Sequence, residues 1–188
     1  MSAHGDQKTL NVPFSGAYWV IPDSFLAGCH PCFYAADDCT ELLSRIVDSG
    51  IRHFIDLTEA EEWIPGISVL ADYSSKLTEI SEVLNLEIRY SRKPIIDRSI
   101  PMRNGMVRIL DLIDESVENG LPVYVHCMGG IGRTGTVVGC YLARHDYAAG
   151  YDAITRIAEL RNRIDFIDLP SPESRSQVEM VVSWQKGE

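Results

Sequence analysis

Long hydrophobic runs are missing from this chain: it has no stretch of 18 apolar residues, no secretory hydrophobic segment and no lipidation motif. We therefore expect a cytoplasmic protein with no stable membrane association. Basic residues are also scarce, with 17 Lys and Arg against 27 Asp and Glu and a net charge of −10. This balance argues against nucleic acid and anionic membranes as partners. The sequence leaves the oligomeric state open.

Cysteine is sparse as well. The chain has five, an odd number, which argues against a secreted disulfide framework and for a reducing compartment. The spacing Cys29-His-Pro-Cys32, with Cys39 nearby, superficially suggests a metal or redox site. A zinc site needs four ligands, however, and the chain has no second C-x-x-C pair. We therefore expect ordinary buried or loop cysteines here, and neither a metal nor a cofactor.

Length and composition fit one globular domain. Residues 1–13 are polar and are expected to form a flexible N-terminal segment, and residues 14–188 to form the domain. Strand and helix patterns alternate along it, which predicts an α/β fold with a central, mainly parallel sheet flanked by helices. Strands are predicted at 18–21, 25–27, 51–57, 86–90 and 122–125.

Helix positions are predicted from capping residues and apolar spacing. Asp38 is expected to cap a helix that ends at Gly50, and Ser171 to cap a helix with Pro172 in its first position. Residues 58–85 are ambiguous between a loop and a loop followed by an amphipathic helix. Further helices are predicted at 102–117, 137–143 and 151–161.

The most informative segment runs from His126 to Thr134 and reads His-Cys-Met-Gly-Gly-Ile-Gly-Arg-Thr. Its glycines permit backbone angles that let successive N–H groups point inward at an anion, and the start of the following helix adds further donors. A strand that leads into a helix through such a turn predicts a phosphate-binding loop. The predicted phosphate-binding residues are Met128, Gly129, Gly130, Ile131, Gly132 and Arg133.

The side chains of this loop predict its chemistry. A free thiol is mostly protonated at neutral pH, but inward N–H groups, a helix N-terminus and Arg133 favour the thiolate, so Cys127 is the expected nucleophile. The planar fork of Arg133 can bind two phosphate oxygens and stabilise transition-state charge. His126 is expected to hydrogen-bond the backbone at Cys127, and Thr134 to offer its hydroxyl to the sulfur.

Two other interpretations of the loop are weaker. A merely buried cysteine is the commoner fate of this residue, but it leaves the coincident His126, Arg133, Thr134 and glycines unexplained. A nucleotide-binding loop requires Gly-Lys-Ser/Thr, and Arg133 stands where the lysine would be needed.

At these residues the sequence resembles the cysteine-dependent protein tyrosine phosphatase superfamily, whose pattern His-Cys-x5-Arg-Ser/Thr is met by His126, Cys127, Arg133 and Thr134. The length is most similar to the small, dual-specificity-like branch. The resemblance implies a protein tyrosine phosphatase-like fold and hydrolysis of phosphotyrosine, with phosphoserine and phosphothreonine left open. It also implies a cysteinyl-phosphate intermediate and a phosphorylated protein or peptide as the substrate.

The expected general acid is Asp97. Attack by a thiolate expels an alkoxide or phenoxide, so a carboxylic acid is needed near the leaving oxygen, and a mobile loop suits it. Asp97 lies in such a loop, between a predicted strand and a predicted helix. The resemblance supports this choice, because the superfamily carries its acid in a context that Pro94, Asp97 and Pro101 reproduce. The alternative is an aspartate that only caps a turn.

Two further points remain open. Gln177 resembles, weakly, the position from which some relatives orient the hydrolytic water, although a polar residue on a helix needs no such role. The alternative substrates are phosphoinositides, inositol phosphates or another small phosphoester, and a non-catalytic phosphate-binding module is the third hypothesis. The basic residues Arg92, Lys93 and Arg98 would favour a multiply charged substrate, whereas the uncharged cysteine loop favours a single aryl phosphate.

Overall fold

Strands and helices alternate along the chain, as predicted. The computed structural model describes residues 11–33, 38–64, 68–162, 164 and 168–188. Five strands build the central sheet: β1 (Ala17–Ile21), β2 (Phe25–Gly28), β3 (His53–Asp56), β6 (Arg89–Arg92) and β7 (Val123–His126). A separate two-stranded hairpin consists of β4 (Trp63–Ile64) and β5 (Ser68–Val69).

The sheet is mainly parallel, which confirms the predicted class. Its strand order is β1-β2-β7-β3-β6, and only β1 and β2 pair antiparallel. The pairs β2–β7, β3–β7 and β3–β6 are all parallel, so the carboxyl ends of these strands meet at one edge. The strand β7 lies in the centre of the sheet, and its carboxyl end leads directly into the predicted phosphate-binding loop.

Helices cover both faces of the sheet. They are α1 (Thr40–Asp48), α2 (Ser74–Leu84), α3 (Arg103–Glu118), α4 (Gly132–Arg144), α5 (Tyr151–Leu160) and α6 (Arg175–Ser183). Side chains alternate along the buried parallel strands, so Phe54 and Tyr124 pack with α1 and α2, whereas Ile55 and Val125 pack with α3 to α6. The domain therefore has three layers, with the sheet in the middle.

Several predicted boundaries were wrong by a few residues. The helix α1 begins at Thr40 with Cys39 as its N-cap, because the Asp38 carboxylate instead closes a local turn by accepting the Thr40 N–H at 2.9 Å. The last helix begins four residues after Ser171, with Ser174 as its N-cap. The strand predicted at 86–90 lies at 89–92, and the ambiguous stretch 58–85 holds β4, β5 and α2.

The expectation about the loop cysteines was also wrong for two of them. Cys32 and Cys39 form a disulfide, with their Cα atoms 4.9 Å apart. The cysteine count therefore no longer supports a reducing compartment. Cys29 and Cys140 are buried and lie outside this disulfide.

The predicted flexible N-terminal segment falls largely outside the described residues, since 1–10 are not among them. Asn11 and Pro13 contact the domain through their carbonyls, which accept hydrogen bonds from Trp19 Nε1 and from Arg45. Within the described ranges, no helix is both long and apolar enough to cross a membrane.

Candidate active site

The predicted nucleophile lies where the central strand ends. Cys127 follows β7 directly, and residues 127–132, here called the cysteine loop, lead into the start of α4. Neighbouring parallel strands end beside it, so the loop lies in the crevice at the carboxyl edge of the sheet, where α/β folds place ligands. Cys127 is 3% exposed.

The end of β2 supports the cysteine loop through backbone contacts. The His30 N–H donates to the Met128 carbonyl at 2.9 Å. Gly130 has a φ of +69°, and a Cβ there would lie 2.5 Å from the carbonyl carbon of Gly28, so only glycine fits. The Thr134 hydroxyl donates to the Gly28 carbonyl at 3.4 Å, and its expected contact with the sulfur stays a prediction.

His126 makes the expected contact with the backbone of the nucleophile. Its Nδ1 lies 3.2 Å from the Cys127 carbonyl oxygen, and the Tyr73 hydroxyl is hydrogen-bonded to Nε2. Burial lowers the pKa of His126, and the Asp56 carboxylate opposes this only in part. The ring is therefore neutral, with Nδ1–H donating to the carbonyl and Nε2 accepting from the tyrosine.

A buried carboxylate lies behind the histidine. Asp56 is fully buried and accepts hydrogen bonds from the Thr58 N–H at 2.8 Å and from the Tyr90 hydroxyl at 2.7 Å, with Arg92 at 3.3 Å. Burial alone would raise the pKa of Asp56, but the hydrogen bonds from Thr58 and Tyr90 stabilise the carboxylate and help to lower it. These contacts hold the Asp56 carboxylate in a fixed position beside His126.

Arg133 is held in a fixed direction by carboxylates. Its two terminal nitrogens bind the Glu62 carboxylate at 2.6 and 2.7 Å. One also donates to the Ile95 carbonyl, and the other lies 3.1 Å from the Asp97 carboxylate. Burial alone would lower the pKa of Arg133, but Glu62, Cys127 and Asp97 together raise it. The guanidinium is thus charged and preorganised beside the thiol.

The predicted acid reaches the same pocket from a separate loop. Asp97 is 51% exposed in side-chain terms and lies in residues 94–101, here called the acid loop, between β6 and α3. A pocket of about 90 Å³ brings the acid, the nucleophile and the arginine together. Its walls are formed by Asp97, Arg98, Cys127, Met128, Gly129, Ile131, Gly132, Arg133 and Glu173.

Gln177 lies on the first turn of α6, next to both loops. Its side chain is buried, and a Cβ on Gly132 would approach its amide atoms to 3.0 Å. The amide oxygen completes the capping box of α6, and the amide nitrogen donates to the Ser99 carbonyl in the acid loop. The water-orienting role of Gln177 stays a prediction.

The three basic residues near the acid do not converge on the pocket. Arg92 binds Asp56 and Asp72, and lines a separate cavity of about 350 Å³. Lys93 lies in another depression, beside α3. Only Arg98 reaches the wall of the catalytic pocket, where Glu173 lies 3.6 Å from it.

Sequence reasoning missed Glu62 and Arg161. The acidic run Glu59-Ala-Glu-Glu62 carries no spacing that marks its last residue, and its partner is 71 residues away. Arg161 is 2% exposed, and in the described part of the chain its Nε and one terminal nitrogen lack hydrogen-bond partners. Burial lowers its pKa, while Tyr18 and Cys127 interact with it electrostatically. It is a second buried guanidinium that interacts electrostatically with the nucleophile.

Comparisons with known proteins identify the family of the chain. A family model described as "Polymorphic toxin system, DSP-PTPase phosphatase" matches residues 32–147. Dual specificity protein phosphatase CDC14B of Mus musculus is 26% identical over 144 residues, which cover 74% of this chain and 26% of the mouse protein. This chain thus spans about a quarter of the length of that relative.

Solved structures share the fold. The active form of Tk-PTP superposes with a TM-score of 0.67 at 21% identity, covering 89% of this chain and 95% of the other. PTPMT1 in complex with PI(5)P superposes with a TM-score of 0.64 at 20% identity, covering 90% and 94%. Together with the family match, these findings show that the chain belongs to the DSP-PTPase phosphatases of polymorphic toxin systems, within the cysteine-dependent protein tyrosine phosphatase superfamily.

Proposed function

We propose that this protein hydrolyses phosphotyrosine in protein or peptide substrates through a cysteinyl-phosphate intermediate that requires no metal. The observation that carries the proposal is the convergence of Cys127, Arg133 and Asp97 on one small pocket. A nucleophile, an anion-binding fork and a carboxylic acid from different parts of the chain are the three groups that the reaction needs.

The reaction has two steps. In the first, the Cys127 thiolate attacks phosphorus, the S–P bond forms, and the bond to the leaving oxygen breaks as Asp97 donates its proton to that oxygen. In the second, the Asp97 carboxylate accepts a proton from water, the water oxygen attacks phosphorus, and the S–P bond breaks. The products are the dephosphorylated alcohol or phenol, inorganic phosphate and the regenerated thiolate.

The ion pair between Asp97 and Arg133 takes part in the first step of this reaction. The Asp97 carboxylate lies 3.1 Å from a terminal nitrogen of Arg133. A phosphate dianion competes for the same guanidinium, so its binding displaces the Asp97 carboxylate, which takes up a proton from solvent and can then serve as the acid at the leaving oxygen. Glu62 keeps its two hydrogen bonds with Arg133 during this exchange, and these bonds fix the orientation of the guanidinium.

The charge of the pocket favours a substrate with one phosphate. Its walls carry the guanidiniums of Arg98 and Arg133 and the carboxylates of Asp97 and Glu173, which balance before the thiolate is counted. A multiply phosphorylated inositol ring therefore finds no excess positive charge beyond the cysteine loop. Of the basic residues that would have supplied this charge, Arg92 pairs with Asp56 and Arg98 pairs with Glu173.

Apolar side chains around the phosphate site favour an aryl ester. Met128 and Ile131 are half-buried members of the pocket wall, and Ile96, next to the acid, is 65% exposed. A phosphotyrosine ring can bury part of this surface, whereas the short side chain of phosphoserine contributes little area. Phosphotyrosine is therefore the preferred substrate.

A substrate panel tests the proposal. We expect kcat/KM for a phosphotyrosine peptide to exceed the values for phosphoserine and phosphothreonine peptides, inositol polyphosphates and phosphatidylinositol trisphosphate. Vanadate should inhibit, and EDTA should not. If the phosphoinositide or an inositol polyphosphate is the better substrate by tenfold, about 1.4 kcal/mol in transition-state binding, the protein is a phosphoinositide or inositol phosphate phosphatase instead.

A further inference from the structure

The first turn of α6 touches both halves of the catalytic pocket. On one side, a Cβ on Gly132 of the cysteine loop would lie 3.0 Å from the Gln177 amide and from Glu173 Cγ. On the other side, the Gln177 amide nitrogen donates to the Ser99 carbonyl of the acid loop at 3.1 Å. One fully buried amide therefore lies between the nucleophile and the acid.

The amide oxygen of Gln177 is already in use. It accepts hydrogen bonds from the backbone N–H of Glu173 at 3.2 Å and of Ser174 at 3.1 Å. A carbonyl oxygen has two lone pairs, so both are occupied. This is the atom that would accept a hydrogen bond from an attacking water, and the remaining contact of the amide points to the acid loop.

The acid loop needs such a contact. Arg98, between Asp97 and Ser99, has a φ of +57°, a backbone conformation that is unfavourable for a residue with a side chain. Ile95 ties the start of the loop through its N–H, which donates to the Leu57 carbonyl, and through its carbonyl, which accepts from Arg133. Beyond Asp97, the exposed Arg98–Glu173 pair ties the loop to the segment just before α6, and the part-buried hydrogen bond from Gln177 ties it to α6 itself. Because the Gln177 side chain is fully buried, solvent and salt weaken its contact less than the exposed ion pair.

We propose that Gln177 is a positioning residue that fixes the acid loop against the cysteine loop and so holds Asp97 at the leaving oxygen. The inference rests on the proposed function, in which Asp97 is the general acid. It predicts that loss of Gln177 impairs the first chemical step, and only to the extent that this step needs protonation of the leaving group.

The test compares three variants on two esters. Q177A removes all amide contacts, whereas Q177E keeps an acceptor oxygen for the two backbone N–H groups and loses the donor to Ser99. S174A, the matched control, removes the capping hydroxyl that faces the Gln177 N–H and leaves the Ser99 contact in place. Each is assayed with a phosphotyrosine peptide and with difluoromethylumbelliferyl phosphate, whose phenol is acidic.

We expect Q177A and Q177E to lose about tenfold or more in kcat/KM on the peptide and little on the fluorinated ester, part of the full effect of a general acid. The alkaline limb of the pH profile should flatten. In a D97A background, Q177A should have no additional effect. S174A should lower the melting temperature and leave the ratio of the two substrates unchanged.

Other outcomes overturn the inference. A burst of the released phenol in Q177A, followed by slow turnover at the same rate for both esters, would show that Gln177 acts on hydrolysis of the phosphoenzyme and orients water. Wild-type behaviour of Q177E, or equal losses in Q177A and S174A, would reduce its role to capping α6. If D97A alone lacks a leaving-group dependence, the proposed function fails at its acid, independently of Gln177.

Discussion

The two sides of the catalytic pocket are built in different ways. The nucleophile side is buried and held by backbone: Cys127 is 3% exposed, and the Met128 carbonyl accepts from the His30 N–H. The acid side is half exposed and held by side chains: Asp97 pairs with Arg133, and Gln177 holds the Ser99 carbonyl.

This difference separates a rigid part of the site, the cysteine loop, from an adjustable part, the acid loop. In the proposed function, backbone N–H groups of a closely packed glycine loop bind the phosphate, and such a loop needs no rearrangement when substrate binds. Side-chain contacts around an exposed loop can exchange partners, as the proposed role of Asp97 in proton transfer requires. Substitutions on the nucleophile side should therefore abolish chemistry or stability, and substitutions on the acid side should change substrate dependence.

The largest expected effect is that of Cys127→Ser. A serine hydroxyl stays protonated at neutral pH, so turnover of para-nitrophenyl phosphate should fall by on the order of 10³-fold or more. The backbone cradle is unchanged, so calorimetric titration should still detect binding of inorganic phosphate. Residual activity above about one per cent would rule out covalent catalysis by this residue.

Glu62→Ala should break the carboxylate support of Arg133. The two side chains are 8% and 2% exposed, and removal of one partner of a buried ion pair costs about 3 kcal/mol or more. Arg133 keeps Asp97, which places the loss at the low end of that range. Urea unfolding measures the change, and Glu59→Ala, which removes a nearby exposed carboxylate, is the matched control. Equal effects of the two would mean that the pair adds nothing to stability.

Low pH should destabilise the fold, because protonation of His53, a buried residue of the central sheet, is unfavourable in the folded state. His53 lies between the Ser116 and Ser91 hydroxyls, and burial, with Arg89 and Lys93 nearby, lowers its pKa from 6.5 to about 4. Because the unfolded chain binds the proton more tightly, the stability from neutral His53 is present above pH 6.5 and lost as pH falls toward 4. The full loss is about 3 kcal/mol.

His53→Gln offers the control for this pH dependence. The amide can keep polar contacts with the hydroxyls but does not titrate, so unfolding free energies between pH 7 and 4 should fall less steeply than in the wild type. An unchanged slope would assign the acid sensitivity to other groups, such as His30, whose pKa burial lowers to about 3.

Asp97→Ala should change substrate dependence more than stability. Loss of the general acid should slow a phosphotyrosine peptide by about 10²-fold, equivalent to about 2.7 kcal/mol, and slow an ester with an acidic phenol much less. The alkaline limb of the pH–rate profile should flatten as well. Equal losses on both esters would give Asp97 a structural role and redirect the search for the acid to Glu173, the other carboxylate of the pocket wall, since Asp111 and Asp114 pair with Arg144 at the far end of α4.

The smallest effect is expected from Arg98→Ala. Its side chain is 80% exposed, and an exposed pair at 3.6 Å from Glu173 contributes about 0–1 kcal/mol. Activity on a phosphotyrosine peptide should change by less than about fivefold. A tenfold loss confined to phosphatidylinositol trisphosphate would instead show that Arg98 recognises a second phosphate.

Adjacent residues in the sequence were enough to predict the cysteine loop and its position between a strand and a helix. The residues from His126 to Thr134 are contiguous, so their spacing and glycines define the loop with little help from the rest of the chain. The predicted cap of the last helix failed because two serines compete: Ser174 forms the box with Gln177, while the Ser171 hydroxyl donates to the Ile131 carbonyl. Only packing against the cysteine loop distinguishes them.

The sequence by itself determined the α/β class, the cysteine loop with its arginine, and the loop that carries the candidate acid. Tertiary structure alone decided that Glu62 holds Arg133, that Gln177 touches Ser99, and that Cys32 pairs with Cys39. The physical reason is distance along the chain. A phosphate cradle is made by consecutive backbone groups, whereas the Glu62 and Gln177 contacts join residues 71 and 78 positions apart, which meet only once the parallel sheet brings the ends of its strands to one edge.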